Sequence, residues 1–344
     1  MHHYGKPGGA FTFTIHAAVR IQQNMRQVRL RVLGLCYTKD MKLIYFLQYL
    51  AVAAFWWLYK LVPVRLAYPM GAGLGRGLFA LFRRTKRARV AIDNVVLAGL
   101  GKTRHEAYLI ARNSLGHFIG HLFEALRASE VITRDNWREY MTLEMTPETE
   151  KLLFNPTCPV LMATGHLGSW EAAITAIVSA RPMMVVARLM DNPYVQKFLE
   201  RHNFRGGITV LPKQHGFSRQ VIRRWTSENA ALAILFDQYC SRGVLAPFFG
   251  YEVPCHTSPV RLHLKTGAPI LVGGFLRTGP LKYKMVAIGD PITEIPGGDT
   301  QEALRAMTAE LMSRLEQVIR MAPEQYLWLH RRWRGIPVPE VPEK

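Results

Sequence analysis

Acidic residues are in short supply. The 344 residues carry 25 Asp and Glu against 44 Lys and Arg, a formal net charge of +19. That imbalance favours a polyanionic partner: nucleic acid, an anionic membrane, acidic carrier proteins or phosphorylated lipids. Charge alone does not choose among them. Cysteine is scarce as well. Cys36, Cys158, Cys240 and Cys255 form no CxxC pair and show no zinc-ligand spacing, so neither a disulfide framework nor a metal site is implied, and cytosolic exposure is the simpler reading. No G-x-S-x-G elbow is present, which excludes an α/β-hydrolase nucleophile. Gly71, Gly73, Gly75 and Gly77 alternate without the GxGxxG spacing and without a preceding strand, so they point to close helix packing and not to a nucleotide. There is no RNP-like strand, recognition helix or aromatic interleaving on a basic surface, which weakens a nucleic-acid binder. Tandem repeats and long low-complexity runs are absent too.

Hydrophobic residues make up 49% of the chain, enough for a full core. Residues 1–40 show no sustained pattern and read as an extension, with Met41 as the biological start and an unusual targeting arm as the rival reading. From Leu43 to Tyr59 the chain is almost wholly apolar. As a helix this run is about 26 Å long, near the lower limit for crossing a bilayer. Trp56, Trp57 and Tyr59 gather at one end as interface anchors do, and Lys42 and Lys60 flank it. No small-residue cleavage site follows, which argues against a secretory signal peptide. Residues 41–62 are therefore an expected membrane anchor, with a buried core helix as the alternative. Residues 63–90 form a basic membrane-proximal segment with RRTKRAR at Arg83–Arg89, the pattern of a protein held on an anionic leaflet.

Residues 91–128 carry apolar positions at helical intervals, such as Leu109, Leu115, Ile119 and Leu122. His117 and His121 share a helix face and, lacking a well-spaced carboxylate or thiolate, read as packing or surface histidines. From residue 158 short apolar runs alternate with amphipathic segments: PVLMA and EAAITAIVSA, MMVVA and PYVQKFLERHNF, ITVL and FSRQVIRRWTSEN, ALAILF, APILVGGF and KMVAI. This is the rhythm of an α/β fold, a central, mostly parallel mixed sheet flanked by helices. Asp299 with Glu302 makes a capping box for a final helix with an apolar stripe from Leu304 to Val318. Residues 91–335 are read as one domain and 336–344 as a tail.

Chemistry concentrates in TGHLGSWE, Thr164–Glu171, which lies between the strand-like PVLMA and a helix-like segment. Gly165 permits a tight exit from the strand, placing His166 at its carboxyl end, where open α/β sheets do chemistry. Glu171 falls in the first turn of the next helix, whose N-terminus keeps a carboxylate ionised. A turn brings the two together. Glu171 then orients the imidazole and raises its basicity, so that His166 can deprotonate a hydroxyl, which an acceptor substrate could itself supply.

GHLGSWE resembles the H-x4-[D/E] block of the bacterial lipid A biosynthesis acyltransferases, the late or secondary enzymes of the lauroyl and myristoyl type, within the wider lysophospholipid acyltransferase-like superfamily. Further blocks follow in the family's order. AIDNVVLAGLGKTRHEAYLIARNSLGHF holds Asn94; VVARLMDNPYVQKF holds Arg188, Asn192 and Pro193; LFDQYCSRGVLAPFFG holds Asp237, Gln238, Gly243 and Phe248-Phe249-Gly250; PEQYLWLHRRWR holds Gln325, Trp328, His330 and Arg331. The resemblance covers most of the chain from Met41. It departs from the family at Ala187 and Leu189 beside Arg188, and at His263.

The resemblance implies a glycerolipid acyltransferase-like fold and transfer of a fatty acyl group from a thioester, on acyl carrier protein or coenzyme A, to a hydroxyl of an acylated, phosphorylated glucosamine lipid. His166 and Glu171 would be catalytic. Arg188 would bind acceptor phosphate or favour the oxyanion, and Asn192, Asp237 and Gln238 would be substrate-binding or site-wall residues. No cofactor and no nucleic acid is implied. The expected location is the cytoplasmic face of the inner membrane. The alternatives are an acyltransferase for a lysophospholipid, aminolipid or other glycolipid, and a non-enzymatic basic membrane or nucleic-acid-binding protein.

Overall fold

The computed structural model describes residues 34–187, 190–201, 208–212 and 218–344, with the side chains of residues 34–40, 171–173, 187 and 212 left aside. The chain divides into two compact units. One holds residues up to Lys60 together with Met190–Arg201; the other holds Leu61–Leu189 and His202–Lys344.

The first unit is built on helix α1, Gly34–Tyr59. Within it Met41–Tyr59 is long and apolar enough to cross a membrane, and little of it is buried by protein. The helix starts ahead of Met41, so the expected boundary between residues 40 and 41 is not a break in secondary structure. A short amphipathic helix in this unit, Pro193–Arg201, packs on α1 through Phe198, whose ring meets Tyr49 at 5.9 Å and Trp56 at 6.5 Å.

The second unit opens with three helices, α2 (Val64–Leu81), α3 (Lys86–Leu97) and α4 (Arg104–Ala128). The glycine run predicted to serve close packing does so at alternate members. A Cβ on Gly71 would lie 2.8 Å from the Gly120 Cα, and one on Gly75 would lie 2.5 Å from the Leu115 carbonyl, so α2 and α4 touch backbone to backbone. Gly73 and Gly77 face open space. Thr85 caps α3 and Thr103 caps α4, each accepting a backbone N–H three residues on. The single helical stretch expected over residues 91–128 is thus interrupted, with Gly99 in the left-handed region at the break.

The body of the unit is a seven-stranded sheet. Its strands are β1 (Met141–Glu144), β2 (Val160–Thr164), β3 (Met183–Ala187), β4 (Ile208–Pro212), β5 (Ala231–Leu235), β8 (Ile270–Gly279) and β9 (Lys282–Ala287), in the order β1-β9-β8-β2-β5-β3-β4. Every pairing is parallel except β8 with β9. Between β5 and β8 a separate hairpin, β6 (Val244–Phe248) with β7 (Tyr251–Cys255), turns at Phe249-Gly250. β1 and this hairpin escaped the sequence reading; β1 is four residues long, and prolines interrupt both hairpin strands.

All five residues of β2 are buried because helices cover both faces. Leu161 and Ala163 point into one core with Leu311 and Leu315 of a long helix, Gln301–Met321, and with Trp328. Val160 and Met162 point the other way, to Ile174 and Ile177 of the helix Trp170–Ala180 and Leu153 of Pro147–Phe154. The long helix is capped by Thr300, whose hydroxyl accepts from Ala303 N, and not by Asp299 as expected; Asp299 pairs with Arg261. The side chain that reaches the N3 amide is one residue further on.

Candidate active site

The site is made by two parallel strands that stop side by side. Thr164 at the end of β2 is the register partner of Leu235 at the end of β5. The pairing continues as Phe236 N donates to Thr164 O at 3.1 Å. The next residues in line are His166 and Asp237. The His166 ring nitrogen Nδ1 lies 2.8 Å from Asp237 Oδ1, and His166 N donates to Asp237 Oδ2 at 3.0 Å. One carboxylate therefore fixes the imidazole and the backbone beneath it. Gly165 lies directly beneath this pair, where a Cβ would come into van der Waals contact with the Asp237 side chain at 3.4 Å.

The loop between β2 and the following helix is held on its other sides. Gly168 has φ +67°, and a Cβ on it would overlap the Phe275 carbonyl oxygen at 1.9 Å, so only glycine fits. Gly165 and Gly168 were both expected to give the turn its freedom; the left-handed residue is Gly168. Ser169 N donates to Phe275 O at 2.6 Å. The C-terminal segment runs antiparallel to the loop: Gly168 N donates to Gln325 O at 3.0 Å, and Leu327 N donates to His166 O at 2.9 Å. Gln325 in turn clasps β8, accepting from Arg277 N at 2.9 Å and donating to Arg277 O at 2.8 Å. Asn94 holds the same segment from α3 with bonds to Trp328 O at 2.7 Å and His330 O at 2.6 Å. Family blocks that looked unrelated in sequence thus brace one loop.

Electrostatics fit a fixed imidazole. The Asp237 side chain is 3% exposed and His166 30%. Burial pushes the Asp237 carboxyl up, but the His166 charge, its ring and backbone hydrogen bonds and the Tyr326 hydroxyl together carry it below the ordinary carboxylate value. Tyr326 is driven the other way, its phenol raised well above the usual value first by burial and then by the Asp237 charge. It remains a neutral donor. An ionised Asp237 accepts a hydrogen bond from Nδ1–H, which leaves the lone pair on Nε2. Gln238 Nε2 lies 3.3 Å from that nitrogen. This corrects the sequence reading of Asp237 as a site-wall residue: it is bonded directly to the histidine.

Glu171 lies in the first turn of the helix Trp170–Ala180, and its side chain, like all of Arg188, lies outside the described residues. Asn192, expected to meet substrate, has a structural use within the first unit. Its Oδ1 caps the helix Pro193–Arg201 by accepting from Tyr194 N and Val195 N, and its Nδ2 donates to Tyr45 O at 2.9 Å and Gln48 Oε1 at 3.0 Å. That commits all its hydrogen-bonding capacity. His263 is buried and bonds Ala268 O, a packing role. His117 and His121 are both buried, on the packing side of the expectation. A mostly apolar cavity lined by Thr164, Met162, Leu271 and Phe275 has about 30 Å³ of room for water-sized molecules. Among the described residues no group of His, Cys, Asp and Glu is arranged to hold a metal ion.

Residues 37–335 match the family model described as bacterial lipid A biosynthesis acyltransferase. The chain is 24% identical over 313 residues to the lipid A biosynthesis lauroyltransferase of Escherichia coli K12, covering 85% of this chain and 93% of that one. It is 25% identical over 183 residues to the palmitoleoyltransferase of the same organism, covering 53% and 58%. Among solved structures, the 1-acyl-sn-glycerophosphate acyltransferase of Thermotoga maritima covers 68% of this chain at 12% identity, with a TM-score of 0.32 that carries no argument about the site.

Proposed function

The chain belongs to the bacterial lipid A biosynthesis acyltransferase family, and we propose that it moves a fatty acyl group from an acyl carrier protein thioester to a hydroxyl of an acylated, phosphorylated glucosamine lipid. The bond from His166 Nδ1 to the buried Asp237 carries the mechanistic part of this reading. It puts the lone pair on Nε2, the atom that direct transfer uses as its base. The acceptor hydroxyl takes the place near Nε2 that faces Gln238. As its oxygen attacks the thioester carbonyl carbon, the proton passes to Nε2. The carbon–sulfur bond then breaks, and the proton goes to the departing thiolate. No enzyme nucleophile is required. Asp237 stabilises the imidazolium that forms and keeps its tautomer.

Gln238, 3.3 Å from Nε2, is placed to donate to the acceptor oxygen or the developing oxyanion. Glu171, in the positive first turn of the helix that follows the His166 loop, is proposed as a second catalytic carboxylate. Arg188 is proposed to bind acceptor phosphate. Two features support a membrane setting at the inner leaflet: the apolar Met41–Tyr59 helix and the +19 charge, which also suits an acidic carrier protein.

Purified enzyme should be offered acyl carrier protein and coenzyme A donors with a competition between a lipid A precursor and lysophospholipid acceptors, with products read by mass spectrometry. Transfer to the glucosamine lipid is expected. Transfer to lysophospholipid alone would reject the acceptor assignment and leave the His166 chemistry standing. No transfer from either donor would reject both.

A further inference from the structure

The outer face of α2 is apolar and uncovered. At 100° per residue Leu66, Met70, Leu74 and Leu81 fall within about 80° of one another. All four are exposed, as is Phe82 at the helix end. Gly73 and Gly77 share this face and look into open space, while the opposite face, Ala67, Gly71, Gly75 and Phe79, is buried against the protein. An exposed stripe of this kind needs a partner.

The stripe ends at a turn beyond which the chain enters a basic recess. A short turn, closed by Thr85 N donating to Phe82 O, joins α2 to α3. There Lys86, Arg87 and Arg89 line a recess of about 480 Å³ together with Val90 and with Arg331 from the other end of the chain. Among the described residues no acidic side chain lines it. Lys86 and Arg87 occupy the first turn of α3, where the helix dipole opposes cations. Charges held against both the dipole and one another mark a place for an anion. A free phosphate would fill the recess and leave the stripe bare. An acidic protein would match the charge and also leave the stripe bare. A lipid supplies both parts.

We propose that the outer face of α2 and the recess lined by Lys86, Arg87, Arg89 and Arg331 form one lipid-docking site, with the helix seated in the bilayer interface and the recess holding the phosphate headgroup of an anionic lipid. It gives the second unit its own hold on the membrane.

The test is calorimetric titration of the full chain, in neutral maltoside micelles, with dihexanoyl phosphatidic acid and separately with inorganic phosphate. One saturable lipid site is expected. R87Q/R331Q should weaken it tenfold or more. R83Q/R84Q, which removes the same charge outside the recess, should leave it within twofold. L74S/L81S should weaken the lipid and leave inorganic phosphate unchanged. Equal losses in the two arginine pairs would mean diffuse attraction and overturn the site. Equal affinity for lipid and inorganic phosphate would overturn the lipid assignment. Because the readout is binding, failure here is distinct from failure of acyl transfer.

Discussion

His166 and Asp237 are 71 residues apart in sequence and 2.8 Å apart in space, because the strands that deliver them are paired in register to their last residues. Replacing Asp237 with Asn keeps the shape but removes the charge that fixes the imidazole and stabilises its protonated form. An amide nitrogen would also meet a donor, either the His166 backbone N–H or the ring. We expect kcat to fall by roughly 10²–10⁴, with His166→Ala at least as poor. Circular dichroism would confirm that the fold persists. Near-normal turnover in a folded Asp237→Asn protein would remove Asp237 from the mechanism.

Glu171 can be separated from Asp237 by the same assay. With the Asp237 carboxylate on Nδ1, a carboxylate at 171 is not needed to set the tautomer. Glu171→Gln should then lower kcat by about tenfold or more through the loss of a local charge. A full-strength Glu171→Gln enzyme would show that Asp237 alone serves the histidine.

The alternation of strand and helix from residue 158 was legible because each strand is a short, continuous apolar run between polar turns. The histidine was legible too, from its place at the end of such a run. Its bond to Asp237 was not foreseen, for a physical reason. Sequence reading favours a carboxylate five residues away over one on another strand, and strand order is not written in hydrophobic period. A signal did exist: PVLMAT-GH and ALAILF-DQ are both apolar runs ending in polar pairs, as neighbouring parallel strands would. Asn94 and Gln325 were seen as motif residues, but their use as clasps on the C-terminal segment depends on contacts across more than two hundred residues of chain for Asn94.

The glycines of α2 make a paired stability prediction. Gly75→Ala places a methyl 2.5 Å from the Leu115 carbonyl and must push α2 off α4, costing about 1–3 kcal/mol. Gly73→Ala meets nothing and gains helix propensity, so it should stabilise by about 0.5–1 kcal/mol. Thermal unfolding of both variants in the same detergent is the measurement. Equal and opposite signs to these would mean that α2 packs by its other face.

His117 gives a pH dependence whose sign can be worked out. It is 4% exposed on α4, where its Nδ1 meets the Tyr68 hydroxyl at 3.1 Å and its ring stacks on His121 at 6.1 Å. Burial, then the neighbouring His121, push its pKa down to about 3; the Gly168 backbone acts in the opposite direction and Arg277 adds to the fall. The folded protein holds it neutral where the unfolded chain, near the ordinary 6.5, binds a proton. Its contribution is whole above pH 6.5 and drains away as pH falls toward 3, at about 1.4 kcal/mol per unit. From pH 7 to pH 5 the loss is therefore about 2 kcal/mol. Asp237, whose pKa is depressed from a carboxylate's ordinary value, loses its contribution only below this window. His117→Asn keeps a polar atom for Tyr68 and cannot titrate. Its stability should be flatter than wild type between pH 7 and 5 by about one proton's slope, read from unfolding midpoints. Parallel curves for the two proteins would show that His117 takes up its proton without cost to the fold.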